Sequence, residues 1–470
     1  MKNVPLKNKI LFGIGDMYAG GAFLLVGLLY LKFLTDIVGL TPALAGSVFL
    51  IGKIWDAISD PMMGVLSDHT KSRFGRRRIY FLCGIIPVFL TFSMLWMKIS
   101  NNNQIAMFVY YSISYILFNT SFTMVQVPYN AVLADMTDSY KERAIMSGIR
   151  LTFSALSAVI AGTIPMLLIN LKGYTFMGLC FGIFYAIPWI CVFFGTFENK
   201  EHIESVKNNS VKDIFKTLPS IFTNRSFRQH AGLFITSQSA VDFLTTLFIY
   251  YLTYVLKRES EFSLVMGSML VVPIIMVPIY TKIASKYSKT TPMHIGLVVW
   301  IIVLFIALFL KEGQPSWLIY IIAIFSGVGS ASALFVPWSI LADISDVDEL
   351  ISAERREGLY SGMATLLRKM AQAAAIFIVG IVLDVVNYVP NVEQAQSAIF
   401  GIRLMFSIIP IILLSVALYF SYKYNLTKEN HAIIIDEIDR RKNRKDEIPS
   451  KSTIRVCELV SGVKFEDLTL

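Results

Sequence analysis

VPYNAVLADMTD, running from Val127 to Asp138, is answered later in the chain by VPWSILADISD, Val336 to Asp346, with one residue deleted. Downstream of the first copy, MSGIR (Met146 to Arg150) is matched by YSGMA (Tyr360 to Ala364) after the second. Both copies lie in long apolar surroundings, so the chain has two halves of one membrane topology. Parallel repeats of this kind characterise twelve-helix transporters, whose binding site is expected near the bilayer midplane between the repeats. A receptor or a membrane enzyme has no need of such a repeat.

The composition agrees. Of 470 residues, 55% are hydrophobic and 16% charged, against about 25% charged in a soluble protein. A span needs roughly 20 mostly apolar residues. Twelve stretches qualify, six on each side of a polar segment from Glu198 to Gln229. The expected class is therefore an all-α polytopic membrane protein with twelve transmembrane helices in two pseudo-symmetric six-helix bundles. The expected divisions are 1–196 and 230–426 for the bundles, 197–229 for a central loop and 427–470 for a tail. The first apolar run is too long for a signal sequence and is read as a retained span.

Charge placement sets the orientation. HTKSRFGRRR, between spans two and three, holds Lys71, Arg73, Arg76, Arg77 and Arg78, whereas NNNQ between spans three and four holds no charge. Basic loops mark the cytoplasmic side, which puts both termini, the central loop and the tail there, in a multi-pass protein of the cell membrane. The net charge of +9 is thereby explained without a nucleic-acid partner, and no soluble basic domain exists to bind one. Cys83, Cys180, Cys191 and Cys457 show no paired spacing, which supports neither a disulfide framework nor a metal site of the cysteine type.

Ionisable residues inside a span are costly and mark a pathway or coupling site by default. Span two reads FLIGKIWDAISDPMMGVLSD, with Asp56 and Asp60 four apart and so on one helix face. Ser59 adds a hydroxyl. Two carboxylates with a hydroxyl suit a hard monovalent cation, while burial and mutual repulsion would equally suit a proton. The competing reading is a Lys53–Asp56 pair that only neutralises itself. Asp16 in span one sits among glycines. Thr123, Gln126, Tyr129 and Asn130 share helical spacing on span four, Arg150 enters span five, Arg368 and Lys369 enter span eleven, and Gln238 and Asp242 lie in span seven. At the cytoplasmic ends, Asp68 and Arg77 can latch neighbouring helices, and Asp135 with Arg143, then Asp343 with Arg356, are expected as matching gate pairs.

These motifs resemble the glycoside–pentoside–hexuronide:cation symporters, the melibiose-permease-like branch of the major facilitator superfamily. The resemblance is carried by GIGDMYAGG, FLTDIVGL, KIWDAISDPMMGVLSD, VQVPYNAVLADMTD, ERAIMSGIR and REGLYSGMATLLRK, and spans about residues 8 to 425. It implies a cation site at Asp56, Ser59, Asp60 and Thr123, with Asp56 and Asp60 as the Na⁺ ligands if sodium is the coupling ion. It implies a sugar-contacting role for Arg150 and Lys369. The two acids that grip galactosides in that family correspond to Gly20 and Gln126, and its stacking tryptophan to Asn130, so galactosides are not the expected solute. Asp16 fits the G-D signature of other members.

The expected function is cation-coupled symport of a sugar, glycoside or hexuronide by alternating access. Na⁺ or H⁺ is the coupling cation, with no other cofactor. The partners are the small-molecule substrate and the bilayer. The alternatives are an uncoupled or exchanging carrier of another small or amphiphilic solute, and a transporter-derived sensor. An enzyme is not expected, because no nucleophile–base pair or metal cluster appears in any span.

Overall fold

The computed structural model describes residues 4–99, 103–137, 139–198, 218–444 and 447–469. Most of the expected central loop, 199–217, lies outside them. Among the described residues all regular structure is helical, and ten helical stretches are long and apolar enough to cross a membrane. One of them, Lys141–Gly195, contains a break at Lys172 and Gly173. Gly173 adopts φ +82°, a conformation glycine enters without strain, so this stretch is spans five and six joined end to end. Pro42–His69 is also membrane-length, but Lys53, Asp56, Asp60 and Asp68 dilute its apolar character. With it the spans number twelve.

Span one is Leu6–Val38, two Pro42–His69, three Arg78–Leu95 and four Gln104–Met136. Five and six share Tyr140–Gly195. The rest are Arg225–Val255, Glu259–Lys286, Thr291–Leu308, Ser316–Ser352, Glu357–Val385 and Gln396–Tyr422. Their ends follow local chemistry. Asn103 accepts from the amides of Ile105 and Ala106 at the start of span four, and a side-chain cap satisfies donors a helix leaves open. Pro42 opens span two, where its missing N–H costs nothing. Pro61 stays inside that helix without ending it.

Small residues set the spacing between helices, as expected where lipid offers no hydrophobic drive for association. A Cβ on Gly20 would come within 2.5 Å of the Ser154 carbonyl oxygen, and one on Gly21 within 2.3 Å of the Ser157 hydroxyl. Spans one and five therefore touch backbone to backbone. In the second half, Gly296 and Gly329 bring spans nine and ten together against Ser332 and Trp300.

The chain resolves into two compact units. One takes Met1–Val211, Thr245–Leu270 and Ala373–Arg403; the other takes Lys212–Leu244, Val271–Gln372 and Leu404–Leu470. The division does not follow the sequence halves, since parts of spans seven, eight, eleven and twelve cluster with the first half. The tail belongs wholly to the second unit. It forms two helices, Lys428–Asn443 and Lys451–Ser461, and buries Ile434, Cys457 and Val460.

Candidate functional site

In the first unit, span two turns Lys53, Asp56 and Asp60 toward its neighbours. Asp56 is fully buried and receives Lys53 Nζ at 3.0 Å. Lys53 also lies 3.8 Å from the centre of the Phe23 ring, a desolvated cation–π contact. One turn on, Asp60 accepts from the Thr123 hydroxyl of span four at 2.7 Å. The neighbouring Ser59 hydroxyl is buried without a hydrogen-bond partner. Asn119, one turn before Thr123 and fully buried, sets its amide against Gly52 of span two. An apolar span gave no reason to single out Asn119. Carboxylate and hydroxyl oxygens of this kind are ligands that hard cations accept, and the open Ser59 oxygen fits that use.

Span four continues the same face one and two turns further on, with Gln126 and then Asn130. Arg150 of span five donates through Nη2 to Asp16 Oδ1 at 2.9 Å and to Asn130 Oδ1 at 2.7 Å. Its guanidinium carbon lies 4.4 Å from the Tyr129 ring centre. Gln126 Nε2 donates to Asn130 Oδ1 at 3.4 Å. Asp16, Gln126, Asn130 and Arg150 thus form one polar cluster, in which only Gln126 and Asn130 share the helical spacing of span four. Gly20, one turn beyond Asp16, packs against Ser154 of span five. Lys369 lies in the second unit.

Arg77 and Asp68 meet as expected, but the expected pairs Asp135–Arg143 and Asp343–Arg356 are partnered otherwise. Asp135 receives Arg77 Nη1 at 2.7 Å and Arg76 Nη2 at 3.1 Å, and Arg77 also reaches Asp68 at 2.6 Å. Arg143 instead donates to the carbonyls of Thr137 and Ala134. It follows the end of span four so closely that it caps the helix's exposed carbonyls. In the second unit Asp343 binds Lys289 at 2.7 Å, and Arg356 forks onto Asp348 at 2.6 and 2.7 Å. The two halves still match, because Asp135 and its repeat counterpart Asp343 each take a basic residue from the turn before the odd-numbered span. Glu198 fixes the first of those turns by accepting from the amides of Arg76, Arg77 and Arg78, a carboxylate at a helix N-terminus.

Two further polar groups lie outside the expected cation, substrate and gate residues, although Arg368, Gln238 and Asp242 of the second stood out as intramembrane polar residues. In the first unit, Asp36 accepts from Thr35 and Tyr388 at 2.7 Å and from Tyr254 at 2.8 Å. This hub ties the end of span one to span seven and to the connection that follows span eleven. Asp36 lies within FLTDIVGL, Phe33 to Leu40; the tyrosines carry no motif. In the second unit, Arg368 holds Asp242 with both terminal nitrogens, at 2.7 and 2.9 Å, and donates Nε to Gln238 Oε1 at 3.0 Å.

Comparison with known proteins bears on the family and the fold. The family model for MFS/sugar transport proteins matches residues 11–428. An uncharacterised symporter of Synechocystis is 26% identical over 92% of this chain and 96% of its own. The isoprimeverose transporter of Lactiplantibacillus pentosus is 26% identical over 87% of this chain and 86% of its own. Among solved structures, the nucleoside transporter NupG superposes with a TM-score of 0.63 at 15% identity, over 89% of this chain and 100% of that one, a likeness of fold. With twelve spans, an internal repeat and a family match over nearly its whole length, the chain belongs to the MFS/sugar transport family and is a multi-pass membrane transporter, not an enzyme.

Proposed function

We propose that the chain is a cation-coupled symporter of a sugar or glycoside, seated in the cell membrane with both termini cytoplasmic. The observation that carries the reading is the Thr123–Asp60 hydrogen bond at 2.7 Å. It joins the acidic face of span two to the same face of span four that, one and two turns further on, bears Gln126 and Asn130. A cation bound among Asp56, Ser59, Asp60 and Thr123 offsets buried negative charge and fixes span four against span two. The sugar then meets Gln126, Asn130 and Arg150 already ordered. Loaded and empty carriers reorient by rocking of the two repeats, and the Asp135 and Asp343 pairs break and re-form as cytoplasmic gates.

Relatives named as an isoprimeverose transporter and a glucuronide carrier homolog support sugar-like cargo. A second reading has its own observation. Lys53 Nζ already sits 3.0 Å from Asp56, a resident positive charge that would let a uniporter work without an added cation.

The two readings separate in proteoliposomes. Under symport, an inward Na⁺ or H⁺ gradient drives sugar accumulation, and Asp56→Asn or Asp60→Asn abolishes accumulation while exchange of sugar across the membrane persists. Accumulation in both variants, or flux indifferent to both gradients in the wild type, contradicts symport.

A further inference from the structure

Span seven begins at Arg225 and span twelve ends at Tyr422, so both reach the same face of the membrane, the one that carries the tail. Gln229 fastens them together there. Its Nε2 donates to the Lys423 carbonyl at 2.7 Å, and its Oε1 accepts from the Asn425 amide at 3.3 Å. Gly232, in the next turn of span seven, lets Phe420 lie against that helix, since a Cβ would stand 2.7 Å from the Phe420 ring. Between the two ends lies a cavity of about 360 Å³, lined by Arg225, Gln229, Tyr419, Phe420, Lys423 and Asn425.

The lining is cationic and unbalanced. None of its residues is acidic, and among the described residues neither Arg225 nor Lys423 forms an ion pair. Arg228, by contrast, is engaged by the Phe222 and Thr223 carbonyls at 2.6 and 2.9 Å. Basic residues at a span end are ordinarily a topology signal, and that accounts for the charges. It does not account for their placement around a concavity with an aromatic wall. Tyr419 and Tyr422 are 58% and 65% exposed, and exposed tyrosines at a span end mark the level of the lipid headgroups.

We infer that this cavity binds the phosphodiester headgroup of an anionic phospholipid in the leaflet on the tail's side, with Arg225 and Lys423 as its cationic donors. A guanidinium matches phosphate oxygens with two parallel hydrogen bonds, and an ammonium adds a point charge. Basic pockets between span ends bind such headgroups. A zwitterionic headgroup brings an ammonium that both cations repel, and free phosphate leaves the aromatic wall unused. The site also adjoins the tail. Gly462, which ends the second tail helix, packs on Arg225, where a Cβ would stand 2.8 Å from Arg225 Cβ. The Asn425 carbonyl accepts from Asn430 Nδ2 of the first tail helix at 2.7 Å. A headgroup that holds Arg225 and Asn425 therefore steadies the tail. The inference is independent of the solute and the coupling cation.

The test is displacement of a fluorescent phosphatidylglycerol from the purified full-length chain in detergent micelles. The competitors are unlabelled phosphatidylglycerol, phosphatidylcholine and inorganic phosphate. Phosphatidylglycerol should compete at concentrations roughly tenfold or more below the other two, and Arg225→Gln combined with Lys423→Gln should weaken its binding by a similar factor. Lys282→Gln combined with Lys286→Gln removes the same charge from the end of span eight and should leave binding unchanged. Hydrogen exchange in the second tail helix, Lys451–Ser461, should slow with phosphatidylglycerol and not with phosphatidylcholine. Equal competition by phosphatidylcholine or by phosphate overturns the inference, as does an equal loss in the span-eight variant, which would reveal diffuse surface charge. Tail exchange unmoved by bound phosphatidylglycerol overturns the link to the tail.

Discussion

Asp135 is the residue whose contacts exceed most clearly what spacing foretold. It is buried, and it balances two guanidinium groups, also largely buried, at 2.7 and 3.1 Å. Removing one partner of a buried pair leaves the other charge uncompensated, which costs about 3 kcal/mol or more. Asp135→Asn should therefore lower the thermal unfolding midpoint of the purified protein by several degrees, with Arg77→Lys falling between it and the wild type because lysine keeps the charge but not the fork. An unchanged midpoint in Asp135→Asn would show that the arginines do not depend on it. The residue types at both gates were legible in the sequence, since acids and bases at the ends of apolar spans stand out. Their pairing was not. Which arginine reaches Asp135 depends on how the turn before span three is folded, and Glu198, which folds it, sits far away in the chain. Gln126 and Asn130 were legible through helical spacing. Gly20 was legible as part of a small-residue face, and its contact with span five bears that packing out.

Among the elements, the tail departs furthest from expectation. IIIDEIDRR, Ile433 to Arg441, is the core of a helix, Lys428–Asn443, docked on the end of span ten. His431 Nε2 meets Asp346 Oδ2 at 2.9 Å, and Arg355 contacts the other oxygen of Asp346 at 3.2 Å. Ser226 of span seven donates to the Val460 carbonyl of the second tail helix at 2.9 Å. The hydrogen bond to Asp346, with help from nearby Asp343 and against Lys289, raises His431 above its ordinary 6.5. Within the helix, burial opposes the Glu437 charge, yet hydrogen bonds from Arg440 and Arg441 prevail and hold its carboxyl below the ordinary 4.5. The signs are opposite. A raised histidine contributes fully below its unfolded pKa and loses that contribution as pH climbs through the folded one, whereas a lowered glutamate contributes above its unfolded pKa. Docking should thus be firmest above the ordinary glutamate range and below 6.5, and loosen as pH rises above 6.5. Proteolysis at the 443–450 connection, followed across that window, should accelerate with pH in the wild type and lose its pH dependence in His431→Gln. A pH-independent rate in the wild type would contradict the assignment. The spans themselves were readable because twenty apolar residues in lipid have few alternatives. The tail was not, because its helices are short and polar and depend on the surface they dock on.

At the scale of the whole molecule, the repeat and the family match fix a twelve-span carrier, and the account adds a direction of coupling through span four. The repeat made the architecture legible, since two related halves have few ways to arrange themselves around a shared path. The Asp36 hub was illegible, because three of its donors come from residues with no shared spacing. The central claim is that cation and sugar strengthen one another through the Asp60–Thr123 link. Coupling is reciprocal: if the cation tightens sugar binding by some factor, the sugar must tighten cation binding by the same factor. The most direct measurement is calorimetric titration of the purified chain with an uncharged glycoside at rising Na⁺ and, separately, at falling pH, repeated for Asp60→Asn and Thr123→Ala. One of the two cations should tighten sugar binding by roughly five- to 150-fold, a dependence that should vanish in Asp60→Asn and weaken in Thr123→Ala. Sugar affinity independent of both cations in the wild type, or a dependence that survives Asp60→Asn intact, would contradict it.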